Sequence, residues 1–305
     1  MTWFFIALIG PFMYALTNHI DKILLDKYFK QGGVGTILLF NSLFAVVVLP
    51  IFFFADRTVL SVGGIQILAL AVVGILNVLV LWCYLLALKD EEASVAIVFY
   101  QLVPVFAYVM GYFVLGEILS KIQLIAMAII IFGTTIISFE IDSENKFKLR
   151  RKAILPMLAA SFFWALGSVI FKAVAIEENV WRSLFWEYSM LLLIGIGIFV
   201  FMRSYRNNFL SVIRSNSKVI LSINFVNEFL YILGNLAFAF AYMLAPVALV
   251  LLADSFQSVF AIIIGVFLTI FLPKISTEKI QAKYLWPKII AICITGIGTY
   301  LLFMK

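Results

Sequence analysis

The sequence predicts an all-α integral membrane protein: ten transmembrane helices forming two inverted five-helix repeats around a central cavity. Three observations predict it. Of 305 residues, 65% are hydrophobic and only 12% charged, whereas a soluble domain is about half apolar and a quarter charged. The apolar residues form ten long runs. Barrel strands would be about ten residues long and alternate with polar positions. Finally, short motifs recur in the same order in both halves.

The runs cover approximately 3–24, 34–55, 63–88, 93–116, 121–140, 153–175, 180–202, 217–243, 246–272 and 286–304. Each reaches across about 30 Å of hydrocarbon at about 1.5 Å per residue, the longer ones by tilting. The break between the eighth and ninth rests on Ala245-Pro246 alone, and proline either ends a helix or kinks it. The polar stretch Glu140–Lys152 divides the chain into a first repeat (1–140), a basic linker (141–152) and a second repeat (153–305). Phe12-Met13-Tyr14-Ala15-Leu16 aligns with Phe162-Phe163-Trp164-Ala165-Leu166 at a shift of 150, which also puts Lys22 on Lys172. Later, Val105-Phe106-Ala107 aligns with Val259-Phe260-Ala261, and Gly111 with Gly265. With an odd number of spans per repeat, the second copy enters from the opposite face, and inverted repeats hold substrate near the bilayer midplane.

The net charge of +6 belongs to loops between apolar runs, as membrane orientation requires, and points to no nucleic acid. Of 22 Lys and Arg, only Arg57, Lys121, Lys172, Arg182 and Lys305 fall on one face and 17 on the other. By the positive-inside rule the crowded face is cytoplasmic and both termini lie outside. The segment Arg203–Lys218 sets Phe209, Leu210, Val212 and Ile213 among four basic residues. It reads either as a short helix on anionic head groups or as a plain basic loop. Met1-Thr2-Trp3 lacks a basic n-region, so the first run is expected to stay as a helix. Cys83 and Cys293 fall in separate spans and read as small packing residues.

The fourth run reads Phe99-Tyr100-Gln101-Leu102-Val103-Pro104-Val105-Phe106, then Gly111, then Leu115-Gly116-Glu117. This resembles the mid-span proline and Leu-Gly-Glu ending of EamA-type proteins in the drug/metabolite transporter superfamily. The aromatic-rich first and sixth runs, each followed by a lysine, resemble the same family. The resemblance implies inverted five-helix bundles around a cavity, alternating access and small-metabolite cargo. Such cargo includes amino acids, sugar phosphates and nucleotide sugars. The second half departs from the pattern, with Ser258 and Phe271-Leu272 where Pro104 and Glu117 have their places. The resemblance also implies cytoplasmic termini, against the charge count.

Candidate residues follow from the cost of intramembrane charge, roughly 2.5–3.5 kcal/mol per carboxylate at a helix centre. Glu187, Glu228 and Asp254 sit inside predicted spans. Asn224, Asn227, Glu228, Tyr231 and Asn235 share one face of the eighth helix. A polar stripe in a membrane faces protein or a water-filled cavity, since lipid cannot satisfy it. Asn41 is the first-half counterpart of Glu187; Asn77 is a polar candidate on the third span. Tyr100 and Gln101 occupy the region equivalent to Asp254, Ser255, Gln257 and Ser258. Asp254 is expected near a membrane surface. Lys172 follows Trp164 and Ser168 at steps of four, either pairing with a carboxylate or snorkelling. Trp164 and the tyrosines read as rings that stack on cargo, clasp a cation or simply pack. His19, among Asn18, Asp21 and Lys22, reads as interfacial. Glu117 reads as a helix-end carboxylate bonded to the next helix, with Ser120 as its N-cap.

No nucleotide-binding glycine loop, paired metal ligands or nucleophile with a base is evident, so neither an enzyme nor a cofactor is expected. The leading reading is a secondary transporter of a small polar metabolite, amino-acid-like or an amine, with proton coupling through Glu228 or Glu187. It would lie in the cytoplasmic membrane of a bacterium or archaeon, as a monomer or homodimer among membrane lipids. The alternatives are a flippase for a lipid-linked substrate and a non-transporting interaction protein.

Overall fold

The computed structural model describes residues 2–27, 33–88, 99–140, 151–271 and 282–303. Away from water each backbone N–H and C=O needs an internal partner, which a helix supplies. The described residues accordingly form helices and no strands: α1 (Thr2–Lys27), α2 (Gly33–Ala55), α3 (Gly64–Leu88), α4 (Val103–Leu115), α5 (Lys121–Glu140), α6 (Arg151–Glu177), α7 (Val180–Phe201), α8 (Arg203–Tyr242), α9 (Val247–Asp254), α10 (Gln257–Phe271) and α11 (Ala282–Leu302). A short 3-10 turn, Val59–Ser61, follows α2.

Seven segments among the described residues are long and apolar enough to cross a membrane. Val103–Leu115, Lys121–Ile136 and Ile289–Leu302 are apolar but shorter. The surface is inverted relative to a soluble protein: Phe54, Ile65, Leu155, Phe201 and Tyr300 are exposed, as side chains bathed by lipid tails are. The chain is an integral membrane protein.

The strongest packing runs between the two halves of the chain. α1 lies along α8 and α3 along α6; α2 packs on α7 and α5 on α11; α4 meets α6 and α9, while α1 meets α9 and α10. Small residues let these backbones touch, as membrane interfaces favour. A Cβ on Gly133 would stand 2.9 Å from the Thr295 backbone nitrogen, and one on Gly298 3.0 Å from that of Ile130. A Cβ on Gly74 would meet the Glu187 carbonyl oxygen at 3.0 Å, so α3 and α7 are closest one turn from Asn77.

Two expectations are corrected here. Arg203–Lys218 is neither a separate surface helix nor a loop; it is the first part of α8, a single helix of 40 residues. Phe209 and Val212 are buried with Leu24, Ile37, Phe40 and Leu85, and Leu210 and Ile213 pack against this second core. An apolar side at the start of the segment found helices to cover it, so nothing was left to lie in lipid head groups. The ninth run is also not one helix. It breaks at Ser255-Phe256, where Ser255 and Phe256 N–H groups donate to the carbonyls of Leu252 and Ala253 at 3.1 Å each. The fourth run tightens likewise before α4, where Leu102 N–H donates to Phe99 C=O at 3.0 Å. Residues 93–98 of that run, most of the basic linker and Lys305 lie outside the described residues. The break at Ala245-Pro246 stands where the sequence put it, between α8 and α9.

Candidate functional site

The polar stripe of α8 faces inward. Asn227, Glu228, Tyr231 and Asn235 line one central cavity with Thr17 and Asp21 of α1, Asn41 of α2, Asn77 of α3 and Glu187 of α7. That cavity has about 70 Å³ of free space. A hollow of about 140 Å³ shares Thr17, Asp21, Asn77, Tyr231 and Asn235 with it and adds Tyr84, Tyr100, Trp164 and Gln257. A third, of about 40 Å³, runs from Asn77 and Glu187 towards Ser168 and Tyr242.

Three carboxylates, Glu187 and Glu228 buried and Asp21 half-buried, meet asparagine side chains. Asn41 Nδ2 donates to Glu228 Oε2 at 2.9 Å, Asn77 Nδ2 to Glu187 Oε1 at 2.6 Å, and Asn227 Nδ2 to Asp21 Oδ1 at 2.7 Å. Neither lysine nor arginine lines these spaces among the described residues. Tyr14 OH donates to Asn235 Oδ1 at 2.7 Å, and Asn235 Nδ2 donates to Tyr188 OH at 3.1 Å. Asn224 instead bonds back to its own helix at the Ile220 carbonyl. Asn227 Oδ1 is buried with no hydrogen-bond partner, as is Asp254 Oδ1.

Aromatic rings ring the larger hollow. Tyr84 stacks on Tyr100 with centroids 5.8 Å apart, Tyr100 meets Trp164 edge-on at 5.1 Å, and Tyr14 lies 5.3 Å from Tyr231. Gln257 enters the same hollow from the start of α10. Gln101 stays outside it, accepting from the Thr134 hydroxyl at 2.9 Å. Asp254 is 6% exposed, so it is buried at the α9–α10 break rather than near water.

Lys172 does not reach the cavity. Its Nζ donates to Glu117 Oε1 at 2.5 Å and to the Ala245 carbonyl at 2.7 Å. Glu117 Oε2 accepts the Val247 N–H at 2.8 Å, so it caps α9, a helix 130 residues away, rather than the next one. Gly116 explains this placement: at φ 66° it turns the chain back after α4, and Glu117 N–H closes on the Gly111 carbonyl, a turn that suits glycine. Ser120 caps α5 as expected, its Oγ accepting from Gln123 N–H at 3.2 Å while Gln123 Oε1 accepts Ser120 N–H at 2.8 Å. His19 Nε2 lies 3.3 Å from the Ala261 carbonyl, tying α1 to α10.

At the end of α2, Asp56 accepts from the Thr58 hydroxyl, the Asn179 amide, the Thr58 N–H and Arg182 Nε. Those bonds, that of the Thr58 side chain foremost, hold its carboxyl well below the ordinary value of 3.8.

Asp21 was missed as a cavity residue because a charge beside Lys22 at a helix end reads as interfacial. The signal was present: Tyr14, Thr17, Asn18 and Asp21 stand at i, i+3, i+4 and i+7, the same kind of stripe that α8 displays.

An apolar exterior, a polar centre and broken helices beside it define a polytopic membrane protein built around an internal polar site. Residues 1–139 match the EamA-like transporter family, which belongs to the drug/metabolite transporter superfamily. A crystal structure of another protein superposes with a TM-score of 0.66 over 99% of this chain and 95% of the other, at 13% identity. That likeness shows a shared fold. No curated protein matches the chain.

Proposed function

We propose that this protein is a secondary active transporter. It moves a small polar metabolite, amino-acid-like or an amine, across the membrane by alternating access, coupled to protons. The observation that carries the reading is the relation between two polar pairs. Asn41 is the counterpart of Glu187, and a shift of 150 puts Asn77 on Asn227, next to Glu228. Exchanging the halves therefore turns the Asn77–Glu187 bond between α3 and α7 into the Asn41–Glu228 bond between α8 and α2. The helix pairings exchange in the same way, α1–α8 with α6–α3, and so do the breaks at Gln101-Leu102 and Ser255-Phe256. Equivalent pairs on both sides of a central cavity suit two equivalent end states, which inverted five-helix repeats provide. This supports ten spans, with the three shorter apolar helices completing the count.

Charge balance supports the proton. Carboxylates withdrawn from water need a compensating positive charge. Among the described residues the lining holds Asp21, Glu187 and Glu228 without lysine or arginine, so a proton or a cationic cargo supplies it. The site is assigned to Glu228, Glu187, Asp21, Asn227, Tyr231, Asn235, Asn41 and Asn77. Trp164, Tyr100 and Gln257 belong to its larger hollow. Lys172, Gln101 and Asp254 support it from outside. The flippase alternative needs an opening that leads to Lys172, and that lysine is already committed to Glu117 and Ala245.

The test is reconstitution of the full chain in proteoliposomes holding a pH-sensitive dye, challenged with amines and amino acids. A substrate is expected to drive proton movement in the native protein. Glu228→Gln or Glu187→Gln should abolish proton movement while exchange of labelled substrate persists. Undiminished coupling in both variants would remove the proton role.

A further inference from the structure

We infer that the larger hollow binds an organic cation with an ammonium group and no carboxylate, held by aromatic rings with Asp21 as counter-charge. The biological use of the site rests on the transporter reading above, but its binding chemistry does not.

Three features select this ligand. Tyr84, Tyr100, Trp164, Tyr14 and Tyr231 all border one space of about 140 Å³, with successive centroids 5.1–6.5 Å apart. Aromatic rings around a desolvated cation attract it through their electron-rich faces. The hollow's one acidic side chain among the described residues is a negative counter-charge. Asp21 borders the hollow, and Asn227 Oδ1, 5% exposed as a residue, is an orphaned acceptor in the adjoining cavity wall. An ammonium brings three donors to such acceptors.

The third feature argues against a carboxylate on the ligand. The amides of Asn41, Asn77 and Asn227 already donate to protein carboxylates. Lys172 and Arg182, cations a substrate carboxylate would seek, are bonded to Glu117 and to Asp56 and Glu178. An amino acid would bring its carboxylate into a hollow whose lining, among the described residues, has Asp21 and no cation. Size agrees: about 140 Å³ is room for a short amine and too little for a nucleotide.

The experiment compares matched pairs on the purified full chain in detergent: tyramine with tyrosine, cadaverine with lysine and agmatine with arginine, with tetramethylammonium as a bare cation. Binding is read by calorimetry. At least one amine is expected to bind roughly tenfold or more tightly than its amino acid, the effect of about 1.4 kcal/mol. Trp164→Leu or Tyr100→Leu should weaken that amine by roughly fivefold, Trp164→Phe should retain most of the affinity, and Asp21→Asn should weaken it at unchanged melting temperature. Equal or tighter amino-acid binding, no binding by any amine or tetramethylammonium, or unchanged affinity in the folded Leu variants would overturn the inference. Amine binding without uptake in proteoliposomes would leave this site standing and remove the transporter reading. Uptake of another solute class without amine binding would do the reverse.

Discussion

The α4–α9 junction and the central cavity both hold carboxylates, and they balance them differently. At the α4–α9 junction Glu117 has a fixed cation: Lys172 bonds it, the Val247 N–H completes it, and both side chains are nearly enclosed. In the central cavity Asp21, Glu187 and Glu228 bond neutral amides among the described residues. A carboxylate with a resident lysine is satisfied permanently and holds helices together. One with an amide is oriented but not neutralised, and it stays open to a visiting proton or cation. The same residue type thus serves as a clamp in one place and, in the function proposed above, as a receptor in the other.

Removing the clamp's cation should give the largest effect. Lys172→Met leaves Glu117 enclosed and unpaired, and about 3–5 kcal/mol of stability should go; thermal unfolding in detergent reads it. Combining Lys172→Met with Glu117→Gln should recover part of that loss, since the uncompensated charge is gone. A smaller loss is expected in the cavity: Asn77→Ala removes one bond to Glu187 and should cost roughly 1–2 kcal/mol. Glu228→Gln sharpens the contrast further. It keeps the shape and an acceptor for Asn41, so the melting temperature should hardly move while substrate-driven proton flux stops. Equal destabilisation by Lys172→Met and Glu228→Gln would erase the distinction between the two regions.

The smallest effect belongs to a carboxylate outside the membrane. Asp56 is held below its ordinary range by Thr58, Asn179 and Arg182. Its contribution is therefore present above about pH 4, the ordinary carboxylate range, and fades as pH falls through its lowered value. Asp56→Asn should flatten that acid limb of the stability profile slightly and leave the neutral region unchanged.

Much of this was legible because hydrocarbon imposes a strict code. Long apolar runs gave the helices, Ala245-Pro246 gave a true break, and the stripe from Asn227 to Asn235 announced an inward face. The break at Ser255-Phe256 was hidden, since no glycine or proline marks it. The partner of Lys172 was hidden too. Glu117 lies 55 residues away, and only the left-handed Gly116 turn aims it there. Asp254 looked superficial because its depth depends on how α9 packs against α4 and α1, which local sequence does not encode. Arg203–Lys218 misled through its charge, while Phe209 and Val212 carried the signal that mattered.

The unbroken length of α8 has a mechanical consequence. Forty residues make a rod of about 60 Å, roughly twice the hydrocarbon thickness. Its N-terminal end is gripped where the Tyr205 ring lies against Gly35 and Phe209 against Phe40. Glu228 rides about 28 Å further along the same rod, with no loop between to absorb a displacement. The gripped N-terminal end of α8 and the Glu228 carboxylate therefore belong to one continuous helix.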